Sequence, residues 1–169
     1  MRQTNDGYIF FDKNDILEYV KNRPPLLMID EAYVKPGEEV YSEKTLTEDE
    51  WYFPCHFPGN PMMPGVLQLE SMFNSAALII KSIDGNKDKT TNISHISNVN
   101  YKKHIRPGER IRIAVKVNRF RRGLGFMHGE ITVNEEICCE ADFILVVLDD
   151  VMRVKEDWLH GGLAYGNDG

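Results

Sequence analysis

VLQLESMFNSAALIIKSI, residues Val66 to Ile83, is the stretch whose reading decides the fold. It is free of Gly and Pro and carries apolar side chains around most of a helical circumference. A helix that is apolar nearly all round belongs in an interior. The run is too long for a strand, and Gln68, Glu70, Ser71 and Asn74 make it too polar for a bilayer span. Asp84–Gly85–Asn86 ends it. One long buried helix then needs something to wrap it.

The wrapping is written downstream. NISHISNVNYKKHI (92–105) precedes a Pro107–Gly108 turn, and RIRIAVKVNRFR (110–121) alternates almost without a break. Gly123 and Gly125 interrupt the chain ahead of GFMHGEITV, and Asn134–Glu135 turns it into EICCEADFILVVLD. Three or four long antiparallel strands must bury one face, and the 66–83 helix is the partner large enough. The expected fold is α+β: a curved antiparallel sheet around a central helix.

Upstream, residues 14–22 read as a short helix with Asp12 or Asn14 as N-cap and Ile16, Leu17 and Val20 on one side. Leu26 to Ile29 reads as an extended run, Pro36–Gly37 as a turn, and residues 39–48 as a strand. Residues 1–149 form the expected domain. Residues 150–169, rich in Gly and without a period, read as a loosely packed or partly disordered tail resting on Trp158 and Leu159.

Composition narrows the function. The 169 residues are 42% apolar and 27% charged, as in a globular domain with a real core. A net charge of −6 argues against a general nucleic-acid binder. The start MRQTNDGYIFF lacks the order of a secretory signal, and no apolar run is long enough for membrane insertion. Three cysteines make no disulfide framework: Cys138 and Cys139, adjacent in a strand, are expected to point to opposite faces. Reduced cysteines imply a cytoplasmic protein. No cluster is spaced for zinc, so no metal site is expected.

The chemistry lies in CHFPGNPMMPGVLQLESMFN, residues 55–74. Prolines and glycines between His56 and Val66 make a stiff irregular loop, and Pro64–Gly65 opens the helix, where proline's missing N–H costs little. The backbone N–H groups of Gly65, Val66 and Leu67 point out of the helix start, at the positive end of its dipole. Such a place suits a carbonyl oxygen that becomes negative. Glu70 sits one turn further in, and a carboxyl sheltered on an apolar face is held protonated near neutral pH. An imidazole, whose intrinsic pKa is near ~6.5, is a base at the same pH. Taken alone, His56 in a Pro-rich loop is more often a structural histidine bonded to backbone, and Glu70 is as readily a surface residue. Together they form a matched acid and base for α-proton abstraction and loss of a β-hydroxyl.

The run from His56 to Glu70 closely resembles the active-site signature of the β-hydroxyacyl-[acyl carrier protein] dehydratases of type II fatty acid synthesis. Weaker likeness extends from about Arg23 to Val147, through Arg23–Asp30 and Asn98–Glu109. The resemblance implies a hotdog fold, with two protomers paired to extend one sheet and active sites shared across the homodimer; it also admits a hexamer built of dimers. It assigns the catalytic base to His56, the acid to Glu70 and the carbonyl-binding amide to Gly65, with Val66 and Asn74 beside the substrate. Three positions depart from the family's usual residues: Asn22 replaces His, Cys55 replaces Gly, and Asn74 replaces Gln.

The expected substrate is a β-hydroxyacyl thioester on the phosphopantetheine of acyl carrier protein, or on coenzyme A, with no cofactor of the enzyme's own. Lys102, Lys103, Arg106, Arg119, Arg121 and Arg122 concentrate positive charge and are candidates for docking that acidic carrier, or simply a solvated strand face. Two other functions stay open on the same scaffold. One is an acyl thioesterase, in which a carboxylate directs water. The other is a non-catalytic acyl- or carrier-binding protein.

Overall fold

The structure is a computed structural model that describes residues 2–4 and 6–152. Strands β1 (Arg2–Gln3) and β2 (Ile9–Phe11) lead into helix α1 (Lys13–Tyr19). Next come β3 (Glu31–Lys35), β4 (Glu39–Thr45) and helix α2 (Gly65–Lys81). Strands β5 (Thr91–Tyr101), β6 (Arg110–Arg121), β7 (Leu124–Val133) and β8 (Glu136–Val147) follow. All eight strands join one antiparallel sheet in the order β1-β2-β3-β4-β6-β7-β8-β5. The sheet wraps α2, which contacts β3 through β8.

The central helix follows from its sequence. Thirteen of its 17 residues are buried, so the apolar circumference is matched by a sheet curved around it. Met72, Ala76, Leu78, Ile79 and Ile80 are fully enclosed and meet alternate residues of the long strands, among them Ile113, Val115, Met127, Ile131 and Phe143. Met72 also fills the space left by Gly129, where a Cβ would lie 2.9 Å from the methionine sulfur. The helix therefore touches the sheet backbone at that point.

Turn chemistry sets the long hairpins. Asn134 and Glu135 both adopt positive φ, 49° and 68°, as a two-residue hairpin loop of the right-handed twist requires. Arg122 and Gly123 do the same between β6 and β7. A side chain at Gly123 would come within 2.9 Å of Asp150 Cβ and 3.2 Å of the Val147 carbonyl.

Several expectations need correction. The first helix spans Lys13–Tyr19 rather than 14–22, with Asp12 as its N-cap: its carboxylate accepts from the Asn14 and Asp15 amides, and Asp15 reaches back to the Asp12 N–H. Leu26–Ile29, read as an extended run, joins no strand of the sheet. Leu27, Met28 and Ile29 are buried as an irregular segment because the Met28 N–H donates to the Asn74 side chain instead of to a ladder. Strand β4 stops at Thr45, and the short strands β1, β2 and β3 were not foreseen. Cys138 and Cys139 are both buried and free, because a register shift opposite Ile131 and Thr132 breaks the alternation between them. The tail expected over 150–169 lies almost wholly outside the described residues; residues 148–152 form a helical turn, and Asp150 pairs with Lys89 at 2.9 Å.

Among the described residues, no helix is long and apolar enough to cross a membrane. Met72→Ala should lower stability by about 2–5 kcal/mol, since it empties a fully enclosed site between α2 and the sheet. Denaturant unfolding checks this; a loss under about 1 kcal/mol would mean that the helix–sheet contact is looser than described.

Candidate active site

The loop before α2 is tied down at both ends. The His56 N–H donates to the Tyr52 carbonyl at 2.9 Å, the Met62 N–H to the His56 carbonyl at 2.9 Å, and the Met63 N–H to the Ile105 carbonyl at 2.8 Å. The His56–Phe57 peptide is cis, and the two rings stack with centroids 4.1 Å apart. Nδ1 of His56 lies 3.0 Å from the Met62 carbonyl. A carbonyl only accepts, so Nδ1 is the donor in this contact, and in the neutral tautomer that fits it the lone pair is on Nε2.

The helix start is uncapped. Pro64 is the N-cap and offers no side-chain bond, while its carbonyl accepts from Leu67 at 3.0 Å and Gln68 at 3.1 Å. Leu67, expected to present a free amide, is thus already engaged. Gly65 and Val66 are the two amides without a protein acceptor among the described residues. The Tyr101 ring lies over Gly65 so closely that a Cβ there would be 2.6 Å from its Cζ. His56, Gly65, Gln68, Tyr101, Lys102 and Lys103 line one cavity of about 270 Å³, with Met62, Met63 and His104 completing its wall. Sequence reasoning passed over Gln68. It is buried, gives its amide to the Met63 carbonyl at 3.3 Å, and leaves Oε1 without a partner.

Glu70 faces a different cavity, between α2, β5 and the end of β8. Its Oε1 accepts from Asn22 Nδ2 at 2.7 Å and from Asn74 Nδ2 at 2.8 Å. Burial pushes its carboxyl above the ordinary carboxylate range, while the Asn74 and Asn22 donors pull it back. Asn74, expected beside substrate, is only 2% exposed, and its own Oδ1 accepts from the Met28 N–H at 2.9 Å. Its polar atoms are committed to Glu70 and to the Leu27–Ile29 segment. Val66, one turn before Glu70 on the same face, is 71% exposed.

Within one chain the two expected groups therefore line separate cavities that share no residue. The basic residues divide as well. Lys102 and Lys103 border the His56 cavity, where they pair with Glu140 and Glu136, and Arg106 braces the loop through Asn60 Oδ1 at 2.9 Å and the Pro61 carbonyl at 3.3 Å. Arg119, Arg121 and Arg122 are exposed at the far end of β6. No group of His, Cys, Asp and Glu among the described residues is arranged to hold a metal.

A long central helix wrapped by one curved antiparallel sheet, with a histidine loop at the helix start, defines a hotdog-fold protein. The FabA-like domain family matches residues 21–142. The 3-hydroxyacyl-[acyl-carrier-protein] dehydratase FabZ of Chloroflexus aggregans is 35% identical over 136 residues, 80% of this chain and 94% of that protein. FabZ of Lactobacillus helveticus is 31% identical over 144 residues, covering 85% and 97%. Among solved structures, the dehydratase heterocomplex ApeI:P from Xenorhabdus doucetiae superposes with a TM-score of 0.68 over 83% of this chain and 96% of that one, at 13% identity, a likeness of fold. The chain belongs to the FabA-like family.

Asn74→Leu should cost about 1–3 kcal/mol, because it strands the buried Met28 N–H. Thermal unfolding and amide exchange at Met28 check this: the Met28 amide should exchange faster in the variant than in the parent, and equal protection in the two would contradict the assignment.

Proposed function

We propose that this chain is a lyase that removes water from a (3R)-β-hydroxyacyl thioester carried by acyl carrier protein, giving the trans-2-enoyl thioester. The curated relatives are dehydratases of that class. The observation that carries the reading is an acid and a base placed at opposite ends of one free strand edge. Among the described residues, strand β5 is the sheet's last strand and pairs only with β8. Its Thr91–Ile93 end borders the Glu70 cavity, and Tyr101 at its other end borders the His56 cavity.

An eleven-residue edge strand with Ile96 40% and Tyr101 51% exposed invites pairing. A two-fold axis makes two such strands antiparallel. The Thr91 end of one then meets the Tyr101 end of the other, which brings Glu70 of one protomer toward the partner's His56. The functional unit is a homodimer with two shared sites. The covering protomer would also shield Val66 and Glu70.

In that site the thioester carbonyl takes the Gly65 N–H, with the Val66 amide beside it, and the helix dipole favours the charge that develops there. His56 Nε2 removes the α proton. Glu70 gives its proton to the β-hydroxyl as the C–O bond breaks, leaving the enoyl thioester and water. A proton passed from His56 to Glu70 through solvent resets the pair. The Cα–H electron pair becomes the double bond as hydroxide leaves protonated by Glu70, with no net oxidation or reduction, so the chemistry asks for no cofactor of the enzyme's own.

His56→Ala and Glu70→Gln should each lower turnover by roughly 10²–10⁴-fold, measured as hydration of crotonyl and longer enoyl thioesters on acyl carrier protein and on coenzyme A. Mixing the two dead variants by refolding together should restore about a quarter of the sites, because half of the dimers are mixed and each mixed dimer holds one intact pair. Mixtures that stay inactive would place both groups in one chain. Release of free thiol from the acyl thioester would instead identify a thioesterase.

The same two-fold pairing unites the divided basic residues. The β6–β7 turn lies level with Asn92, since Leu124 and Asn92 both face Val146. Arg119, Arg121 and Arg122 of one protomer thus approach the partner's Lys102, Lys103 and Arg106, at the mouth where an acidic carrier would deliver its arm. Charge reversal at Arg121 and Arg122 should weaken carrier binding, and the weakening should shrink as salt rises. Unchanged carrier affinity at low salt would exclude this surface.

A further inference from the structure

Two side-chain amides, those of Asn22 and Asn74, meet at a single atom, Glu70 Oε1. Their geometry leaves little freedom. Asn74 Oδ1 accepts the Met28 N–H, and a backbone N–H can only donate, so the other end of that amide, its NH₂, is the group facing Glu70. Asn22 presents Nδ2 to the same oxygen from the segment after α1. Oε1 has two lone pairs, and both are taken. Oε2 has no protein partner among the described residues.

We infer that Asn22 and Asn74 are positioning residues that clamp Glu70 Oε1 as the permanent acceptor, so that the transferable proton always resides on Oε2. The inference rests on the proposed acid role of Glu70 and adds which oxygen acts and what decides it. A protonated carboxyl puts its hydrogen on one of two oxygens, and an unclamped one divides its time between them. With both Oε1 lone pairs occupied, only Oε2 remains, and the acid is held in one orientation toward the cavity. When Oε2–H passes its proton to the departing hydroxyl, the negative charge left on Glu70 is met at once by two N–H donors. Hydrogen bonds to the charged form make the acid stronger. The clamp therefore works against the burial that pushes the carboxyl above the ordinary range. Among the residues lining this cavity Glu70 is the only ionisable one, so the two amides are the local polar groups that set its behaviour.

The two asparagines are not equivalent. Asn74 is buried and also supports Met28, so its loss mixes catalysis with folding. Asn22 is only half-buried and gives the cleaner test. In the full-length protein, Asn22→Ala should leave KM unchanged, lower the plateau kcat about tenfold, and move the alkaline limb of the dehydration pH profile to higher pH. Asn22→Asp keeps the shape but removes the donor and adds a carboxylate, so its alkaline limb should move furthest. A purely structural role for Asn22 would change stability without ordering the two limbs in this way. A direct titration of the Glu70 carboxyl by carbon NMR should give the same order of variants, independently of turnover. Unmoved limbs and an unmoved titration in both Asn22 variants, with Glu70→Gln inactive, would overturn the clamp and leave the acid assignment standing. Full activity in Glu70→Gln would overturn the acid assignment and the clamp with it.

Discussion

The burial of α2 is the constraint on which everything else depends. A helix with thirteen of 17 residues enclosed leaves few ways to satisfy the chain around it: the sheet must curve, and the long strands must present alternate apolar residues to it. The same burial creates the chemistry. It shelters a carboxyl that would be an ordinary surface acid elsewhere, and it fixes an uncapped helix start against a loop that can hold an imidazole. Fold and reactivity come from one act of packing.

Polar groups inside that packing are few, and their hydrogen bonds are closely accounted for. Glu70, Asn74, Asn22 and the Met28 amide form one connected chain from the helix to the Leu27–Ile29 segment. His56 is tied through Met62 in a way that settles its tautomer. Among the described residues, Ser42 Oγ, Tyr52 Oη and Gln68 Oε1 are buried without a partner, and the last of these lies at the wall of the histidine cavity. Rigid support of this kind holds side chains in one geometry with little need to reorganise.

The sheet's edge explains why one chain looks incomplete. β5 has apolar side chains without cover, and the two cavities sit at its two ends. A strand that long would be a hazard if it stayed open. Pairing through a two-fold axis answers the hazard and, on the proposed reading, assembles each site from two chains. The basic residues are separated by the length of β6 within a protomer, and on the proposed reading the pair would bring them together.

The central helix, the four long strands, their turns and the Pro64–Gly65 helix start were legible in the sequence, because each is set by local rules. Apolar periodicity needs only the order of residues, and Asn134–Glu135 or Pro64–Gly65 signal through their own backbone preferences. The short strands β1 to β3, the irregular Leu26–Ile29 segment and the shared burial of Cys138 and Cys139 were not legible, since each is imposed by a partner distant in the chain. The same holds at the site. Sequence named the imidazole, the carboxyl and the helix start. Only the tertiary structure decided that Asn22, 48 residues away, shares the Glu70 oxygen with Asn74, and that the histidine and the glutamate open into different cavities. Side-chain type follows from the order of residues; which polar atoms meet depends on how distant segments pack against one buried helix.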